Sequence, residues 1–407
     1  MACLDTPRSR AASAGVIHSS GRAGGRDLVD DVNLLLLVFP VHHHKLREKE
    51  MRPTSSKPPR SSAPKRPLRG RAITGRSQGT DDRADNHPRR LLQGLSPYYT
   101  SEIGAAYVSD SCSAMERMPD SSVNLVVTSP PYALHFKKEY GNAAKSEYVA
   151  WFLPFAREIF RVLADNGSFV LNLGGSYNQG TPTRSLYHFK LLIALVEDVG
   201  FHLAQECFWY NPAKMPVPAE WVTVRRMRIR DSVEYVWWLS KTPWPKADNR
   251  AVLRPYSPDM VRLNRNGVKA AQRPSGHMIR ASFDRIDAGG AIPPNVTSAE
   301  LPESMLTMGN NASNDAYIRH CRDLGLKVHP ARFPAPLPEF FVKLLTLEGD
   351  LVLDPFAGSN TTGIVAERLR RRWLAMETNE DYLRASTARF NAAEHLDPGS
   401  VQLRLGI

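Results

Sequence analysis

Cysteine is scarce in this chain. Four occur among 407 residues, at positions 3, 112, 207 and 321. They form no close pair and no zinc-type spacing, which excludes a disulfide scaffold and a structural zinc site and fits a reducing compartment. The three consecutive histidines at 42–44 read as an incidental polar tract, so no metal is expected. Long apolar runs are missing too. The apolar segment at residues 34–39 falls far short of the roughly 20 residues that span a bilayer. No secretory signal with an apolar core and a cleavage site is evident. The expectation is a cytoplasmic protein with no membrane partner and no internal repeat.

Acidic residues are outnumbered, and unevenly so. The formal net charge is +12. Residues 1–90 hold 18 Lys/Arg against 9 Asp/Glu, and residues 214–330 hold 18 against 11. A basic stretch inside an otherwise near-neutral body points to a polyanion-facing surface. Residues 1–92 are rich in Arg, Ser, Pro and Gly without helical or strand period, and read as a disordered basic tail. Residues 93–242 and 328–407 alternate strand and helix patterns. Residues 243–327, rich in Pro, Gly, Asn and Arg, are too long for a plain loop and read as an inserted, loop-rich module.

Within the two patterned regions, strands are expected at 105–108, 123–127, 168–173, 233–239, 351–353 and 373–376. Helices are expected at 148–163, 186–199, 337–347, 361–371 and 382–393. Asn166-Gly167 reads as a turn, and Gly200 as a helix cap. This alternation predicts an α/β fold with a mostly parallel sheet.

Two constellations carry chemistry. The first is Thr128-Ser129-Pro130-Pro131-Tyr132, at the carboxyl end of an apolar strand. Two prolines stop the strand and stiffen the turn. Open α/β sheets bind ligands at such strand ends. The Ser129 hydroxyl and the Pro130 carbonyl accept hydrogen bonds, and Tyr132 offers a stacking face. That set suits a planar ring with an exocyclic amine, such as a nucleobase.

The second runs from Asp354 through Pro355, Phe356, Ala357, Gly358, Ser359, Asn360, Thr361 and Thr362 to Gly363, between a strand and a helix. Small residues let a ligand approach the backbone, and the helix N-terminus favours an anionic group. The loop has neither the Lys-Ser/Thr pair nor the three spaced glycines of polyphosphate loops. A small zwitterion's carboxylate, such as that of a methionine moiety, fits better. Glu377, ending the next strand, is placed to accept from ribose hydroxyls. Asp110, ending another strand, is placed to accept from an adenine amine.

Together, Ser129-Pro130-Pro131-Tyr132, the loop beginning at Asp354, and Glu377 resemble the amino-methyltransferases of DNA, in the permuted-order (beta-class) subgroup. The segment His329-Pro330-Ala331-Arg332-Phe333-Pro334 resembles the family element that precedes the cofactor loop. The likeness covers residues 98–390. A finer likeness to cytosine-N4 members lies in Lys138-Glu139-Tyr140-Gly141-Asn142, Val236-Trp237-Trp238, Arg273-Pro274-Ser275-Gly276-His277 and Ile292-Pro293-Pro294-Asn295. The resemblance implies S-adenosyl-L-methionine as methyl donor and a Rossmann-like methyltransferase fold: a mixed seven-stranded sheet with helices on both faces, plus target recognition by the inserted module. It implies cofactor contacts from Asp110, Phe333, Asp354, Phe356, Gly358, Ser359, Asn360, Thr361 and Glu377. Many relatives carry Gly at position 360; Asn tolerates the same left-handed backbone.

The same resemblance implies a flipped base, because a stacked amine is out of reach. Carbon-5 transfer to cytosine needs a Cys nucleophile after Pro. Cys112, Cys207 and Cys321 follow Ser111, Glu206 and His320 instead. Ser at position 129 resembles the cytosine-N4 enzymes, with adenine-N6 transfer as the alternative. A protein glutamine methyltransferase is a further reading, disfavoured because those enzymes place the cofactor loop before the catalytic tetrapeptide. A DNA-binding protein without catalysis is another, disfavoured because both motifs are intact. Arg225, Arg226, Arg228 and Arg230 are expected on phosphates, and Arg273, Ser275, His277 and Arg280 on base edges. The expected partners are double-stranded DNA and a restriction endonuclease that shares the site without binding the enzyme.

Overall fold

The computed structural model describes residues 86–134, 143–211, 214–267, 271–272, 278–279, 289–297, 316–326, 328–332 and 334–391. Most of the expected tail and the apolar segment at 34–39 lie outside them. The body begins a little earlier than composition suggests. Pro88–Leu91 forms a 3-10 helix capped by the His87 imidazole, and Leu92 after it is buried.

The described strands are β1 Tyr99–Thr100, β2 Gly104–Val108, β3 Val123–Thr128, β4 Leu163–Leu173, β5 His202–Tyr210, β6 Val233–Ser240, β7 Ala271–Gln272, β8 Met278–Ile279, β9 Val296–Thr297, β10 Leu351–Asp354 and β11 Arg372–Glu377. The helices are α1 Ser111–Met115, α2 Tyr148–Val162, α3 Tyr187–Ala194, α4 Pro258–Asn266, α5 Ala316–Asp323, α6 Pro336–Leu345, α7 Thr361–Arg368, α8 Glu380–Ser386 and α9 Ala388–Asn391. Nine strands form one sheet in the order β1-β2-β11-β10-β3-β4-β6-β5-β9, while β7 and β8 pair apart. The two-residue strands β1 and β9 are the edges. Between them lies the mixed seven-stranded sheet: β2, β11, β10, β3 and β4 run parallel, and β6 is antiparallel to both of its neighbours.

The apolar runs follow from burial on both faces. On β3, Val126 packs with Phe152 and Ile159 of α2 on one side. Leu125 and Val127 pack with Phe341 and Val342 of α6 on the other. The one polar interruption, Asn124, has its own function in the fold: its Oδ1 accepts from the Leu351 amide at 2.9 Å and fixes the start of β10.

β10 and β3 are parallel neighbours. From β10 the chain passes through α7 to β11 on one side; from β3 it passes through α2 to β4 on the other. Connections that diverge this way leave a crevice beyond the carboxyl ends of the two strands. Ser129 follows β3 and Pro355 follows β10, so both sequence constellations meet there.

Several expectations are corrected. Asn166-Gly167 lies within β4, where the pairing with β3 shifts register, rather than in a turn between elements. The helix expected at 186–199 is α3 continued as a π-helical turn, Leu195–Val199, ending at Gly200 with φ 97°. Strand β5 was not anticipated: its first five residues are exposed, so they carry no apolar alternation. Parts of the 243–327 segment touch the body. The Asp248 amide donates to the Leu344 carbonyl, β9 pairs with β5, and Tyr317 and Cys321 of α5 pack against Ala385 of α8.

Close packing fixes the edge of the sheet. A Cβ on Gly104 would stand 2.0 Å from Cε2 of the fully buried Trp373 ring. That ring is stacked on Phe390 and donates to Glu367, so it has nowhere to go. Gly104→Ala is expected to lower unfolding free energy by about 1–3 kcal/mol, read from the denaturant midpoint; an unchanged midpoint contradicts this packing.

Candidate active site

The crevice is organised by one buried carboxylate. Asp354, at the end of β10, accepts from Thr128 Oγ1 of β3 at 2.6 Å, from Thr362 Oγ1 of α7 at 2.7 Å and from the Phe356 amide at 3.1 Å. Its side chain is spent on these internal bonds and does not line the cavity. In this structure Asp354 is a tie that holds the loop in place. Burial pushes its carboxyl up to about 6, against the pull of Thr128, Thr362 and Phe356.

The loop that follows is equally committed. Asn360 takes the left-handed conformation at φ 51°, and its Oδ1 caps α7 at the Gly363 amide. Its Nδ2 donates to the Tyr99 hydroxyl at 2.8 Å, so this buried side chain faces away from the cavity. Position 360 thus supplies the cap of α7. Gly358 has φ 50°, and a Cβ there would stand 2.9 Å from Nε2 of His329. Burial holds the His329 imidazole down at about 4, so it is neutral, and its ring lies edge-on to Tyr382. The Gly358 amide donates to Glu377 Oε2 at 2.8 Å. Arg389 reaches in from α9 and donates to the Ser359 carbonyl at 2.8 Å. The sequence pattern gave no sign of this arginine.

Around this loop opens a cavity of about 600 Å³. Asp110, Phe356, Gly358, Ser359, Thr361 and Glu377 line one part of it. Glu377 ends β11 and Asp110 follows its parallel neighbour β2 by two residues, which brings two carboxylates to one rim. Asp110 also caps α1 by accepting from the Ser113 amide. Phe356 packs among Trp151, Phe152 and Phe155, which makes a hydrophobic wall. Phe333 lies outside the described residues.

Ser129, Pro130, Pro131 and Tyr132 line the other part. The Tyr132 ring lies against Gly174, where a Cβ would come within 2.4 Å of it. Its hydroxyl donates to Glu234 Oε2 at 2.8 Å and approaches Asn172 Oδ1 at 3.1 Å, while Ser129 Oγ donates to it at 3.3 Å. Burial, with the Glu234 carboxylate second, pushes the phenol well above its ordinary value, so it stays a donor. Glu234 is itself held by Lys214 at 3.1 Å, and Asn172 by the Tyr235 carbonyl. Trp209 completes this wall. Sequence reasoning missed Asn172, Gly174, Trp209 and Glu234. They come together through the pairing of β4, β5 and β6, which no local pattern announces.

Of the arginines expected on phosphates, Arg225 pairs with Glu220 at 2.7 Å. Arg228 donates to the Pro182 carbonyl and lies over the Tyr177 ring. Arg226 is exposed. Arg273, Ser275, His277 and Arg280 lie outside the described residues.

Comparison with known proteins places this geometry. A family model described as DNA methylase matches residues 123–388. The chain is 49% identical over 300 residues to the Type II methyltransferase M.PvuII of Proteus hauseri, covering 73% of this chain and 86% of the relative. It is 27% identical over 300 residues to M.ScaI of Streptomyces caespitosus, covering 73% and 84%. A solved structure of the PvuII DNA methyltransferase (cytosine-N4-specific) superposes with a TM-score of 0.58 at 43% identity, over 75% of this chain and 91% of that one.

The Asp354 tie has a pH signature. Its unfolded carboxyl titrates near 3.9, so the folded chain, at about 6, binds the proton more tightly. The stability this contributes is fully present below about pH 4 and is lost as pH rises through 6. Relative to Asp354→Asn, the wild type is expected to lose up to about 3 kcal/mol across that window, measured by denaturation at stepped pH. A difference that stays flat from pH 4 to 7 contradicts the burial.

Proposed function

The chain belongs to the DNA methylase family, and from that premise we propose that it moves a methyl group from S-adenosyl-L-methionine to the N4 amine of a cytosine flipped out of double-stranded DNA. The observation that carries this reading is the cavity shared by both motifs. It joins the Ser129–Tyr132 turn to the loop at Gly358–Thr361 across one switch point. Ser at position 129, and the cytosine-N4 specificity of the PvuII enzyme, favour N4 over adenine N6.

The cavity suits the cofactor in size and in chemistry. Its volume falls in the range of small-molecule sites. The two strand-end carboxylates of Asp110 and Glu377 match amine and hydroxyl donors, Phe356 matches an aromatic ring, and Ser359 and Thr361 sit where the small-residue turn approaches a carboxylate. When bound there, S-adenosylmethionine supplies an electrophilic methyl group.

The rest is the work of this chain's own residues. Ser129 Oγ and the Pro130 carbonyl accept from the exocyclic amine and hold it in one orientation. Pro131 keeps the turn rigid. Tyr132 stacks on the extruded base, an interaction worth about 1–3 kcal/mol. The hydroxyl contacts to Glu234 and Asn172 fix the ring plane before the base arrives. Orientation of this kind is the main source of acceleration in a direct displacement.

In the cell, we place the protein in the cytoplasm on duplex DNA, with a restriction endonuclease sharing its site without binding it. We assign target recognition to the module within residues 243–327, between catalytic and cofactor-binding halves at 93–242 and 328–407. Arg273, Ser275, His277 and Arg280 there are the candidates for base edges.

Ser129→Ala is expected to lower methyl incorporation into duplex DNA by about a hundredfold or more, the order seen when one transition-state hydrogen bond is removed. Cofactor affinity by calorimetry is expected to stay within about threefold of wild type, since Ser129 belongs to the turn after β3 and not to the loop at Gly358–Thr361. Near-wild-type incorporation contradicts the assignment.

A further inference from the structure

The loop joining β5 to β6 rises from the cavity wall. Trp209 and Glu234 pair across these strands, and both line the cavity. The Asn211 amide donates to the Ser232 carbonyl at 2.7 Å and closes the base of the loop. Further out, Arg225, Arg226, Arg228 and Arg230 interleave with Met227 and Ile229, and residues 221–230 contain no acid. Ile229 is 88% exposed.

One exposed Ile is ordinary on any surface. This one is held out by its neighbours. Just before it, Arg228 donates to the Pro182 carbonyl and packs over the Tyr177 ring at 4.8 Å. Two residues after it, Asp231 accepts from the Tyr177 hydroxyl and from Arg184. Both anchors reach the segment that follows β4, so the backbone on each side of Ile229 is tied to the same support.

We propose that Ile229 is a wedge that enters the base stack of duplex DNA beside the extruded target, with the exposed Arg226 and Arg230 on either side of it facing phosphates. This rests on the methyltransferase reading above. Extruding a base costs a few kcal/mol of stacking and pairing, and apolar side chains inserted between base steps hold a duplex in its distorted form. The cationic run suits a polyanion. A second copy of this chain would bring the same positive charge and be repelled.

The test uses the full-length enzyme and its modification site, mapped first by sequencing methylated DNA. Ile229→Ala is compared with wild type on a fully paired duplex and on one mismatched at the target, where extrusion costs less. The expected result is a loss of tenfold or more in kcat/KM on the paired duplex and less than threefold on the mismatched one. Cofactor affinity should be unchanged, and Ile229→Leu should retain most activity. Full activity of Ile229→Ala on the paired duplex overturns the wedge. So does an equal loss on both duplexes, or a wild-type dimer that the substitution splits. A wild-type enzyme that methylates no DNA overturns the methyltransferase reading, and the wedge with it.

Discussion

A carboxylate buried between two strands and a helix is expensive to keep, and the Asp354 side chain is such a group. Its three donors come from β3, from the loop after β10 and from α7. Those elements leave the switch point in different directions, and Asp354 is where they are pinned together. Without the tie, the cofactor loop and the Ser129 turn would be two neighbouring loops. With it, they are two walls of one cavity. Leaving any of those donors unpaired in the interior would cost about 1–3 kcal/mol each, so the arrangement is close to all-or-none.

The remaining contacts extend the same logic outward. Asn360 caps α7 while reaching to Tyr99 on the edge strand. Arg389 ties the Ser359 carbonyl to the last described helix. On the other wall, Glu234 and Asn172 hold the Tyr132 hydroxyl. In the proposed reaction this divides the labour cleanly: the polar atoms of Tyr132 are used for positioning and its face is left for the base. The orientation that a direct methyl transfer demands is built in before substrate arrives.

How much of this was legible in the sequence depended on how local the signal was. β3 and β10 are buried on both faces, so their apolar runs stood out, and each led straight into a motif. The left-handed turn at Asn360 was legible because Asn is one of the few residues besides Gly that adopts it. Asp354 was legible as a site residue, but its role was not. Whether a strand-end acid faces a ligand or a pair of threonines is decided by which strand lies beside it. Glu234, Trp209 and Gly174 were invisible for a related reason. They reach the cavity wall or the Tyr132 ring only through the pairing of β4, β5 and β6, and the exposed first half of β5 hid the strand that carries Trp209.

In the proposed reaction, the serine at the head of this turn presents a cytosine amine to the methyl donor. The most direct measurement of this is chemical. DNA methylated by the purified enzyme is digested to nucleosides and separated against standards. 4-Methylcytosine is the expected product, sharply reduced when Ser129→Ala replaces wild type. 6-Methyladenine in its place, or 5-methylcytosine, would contradict this.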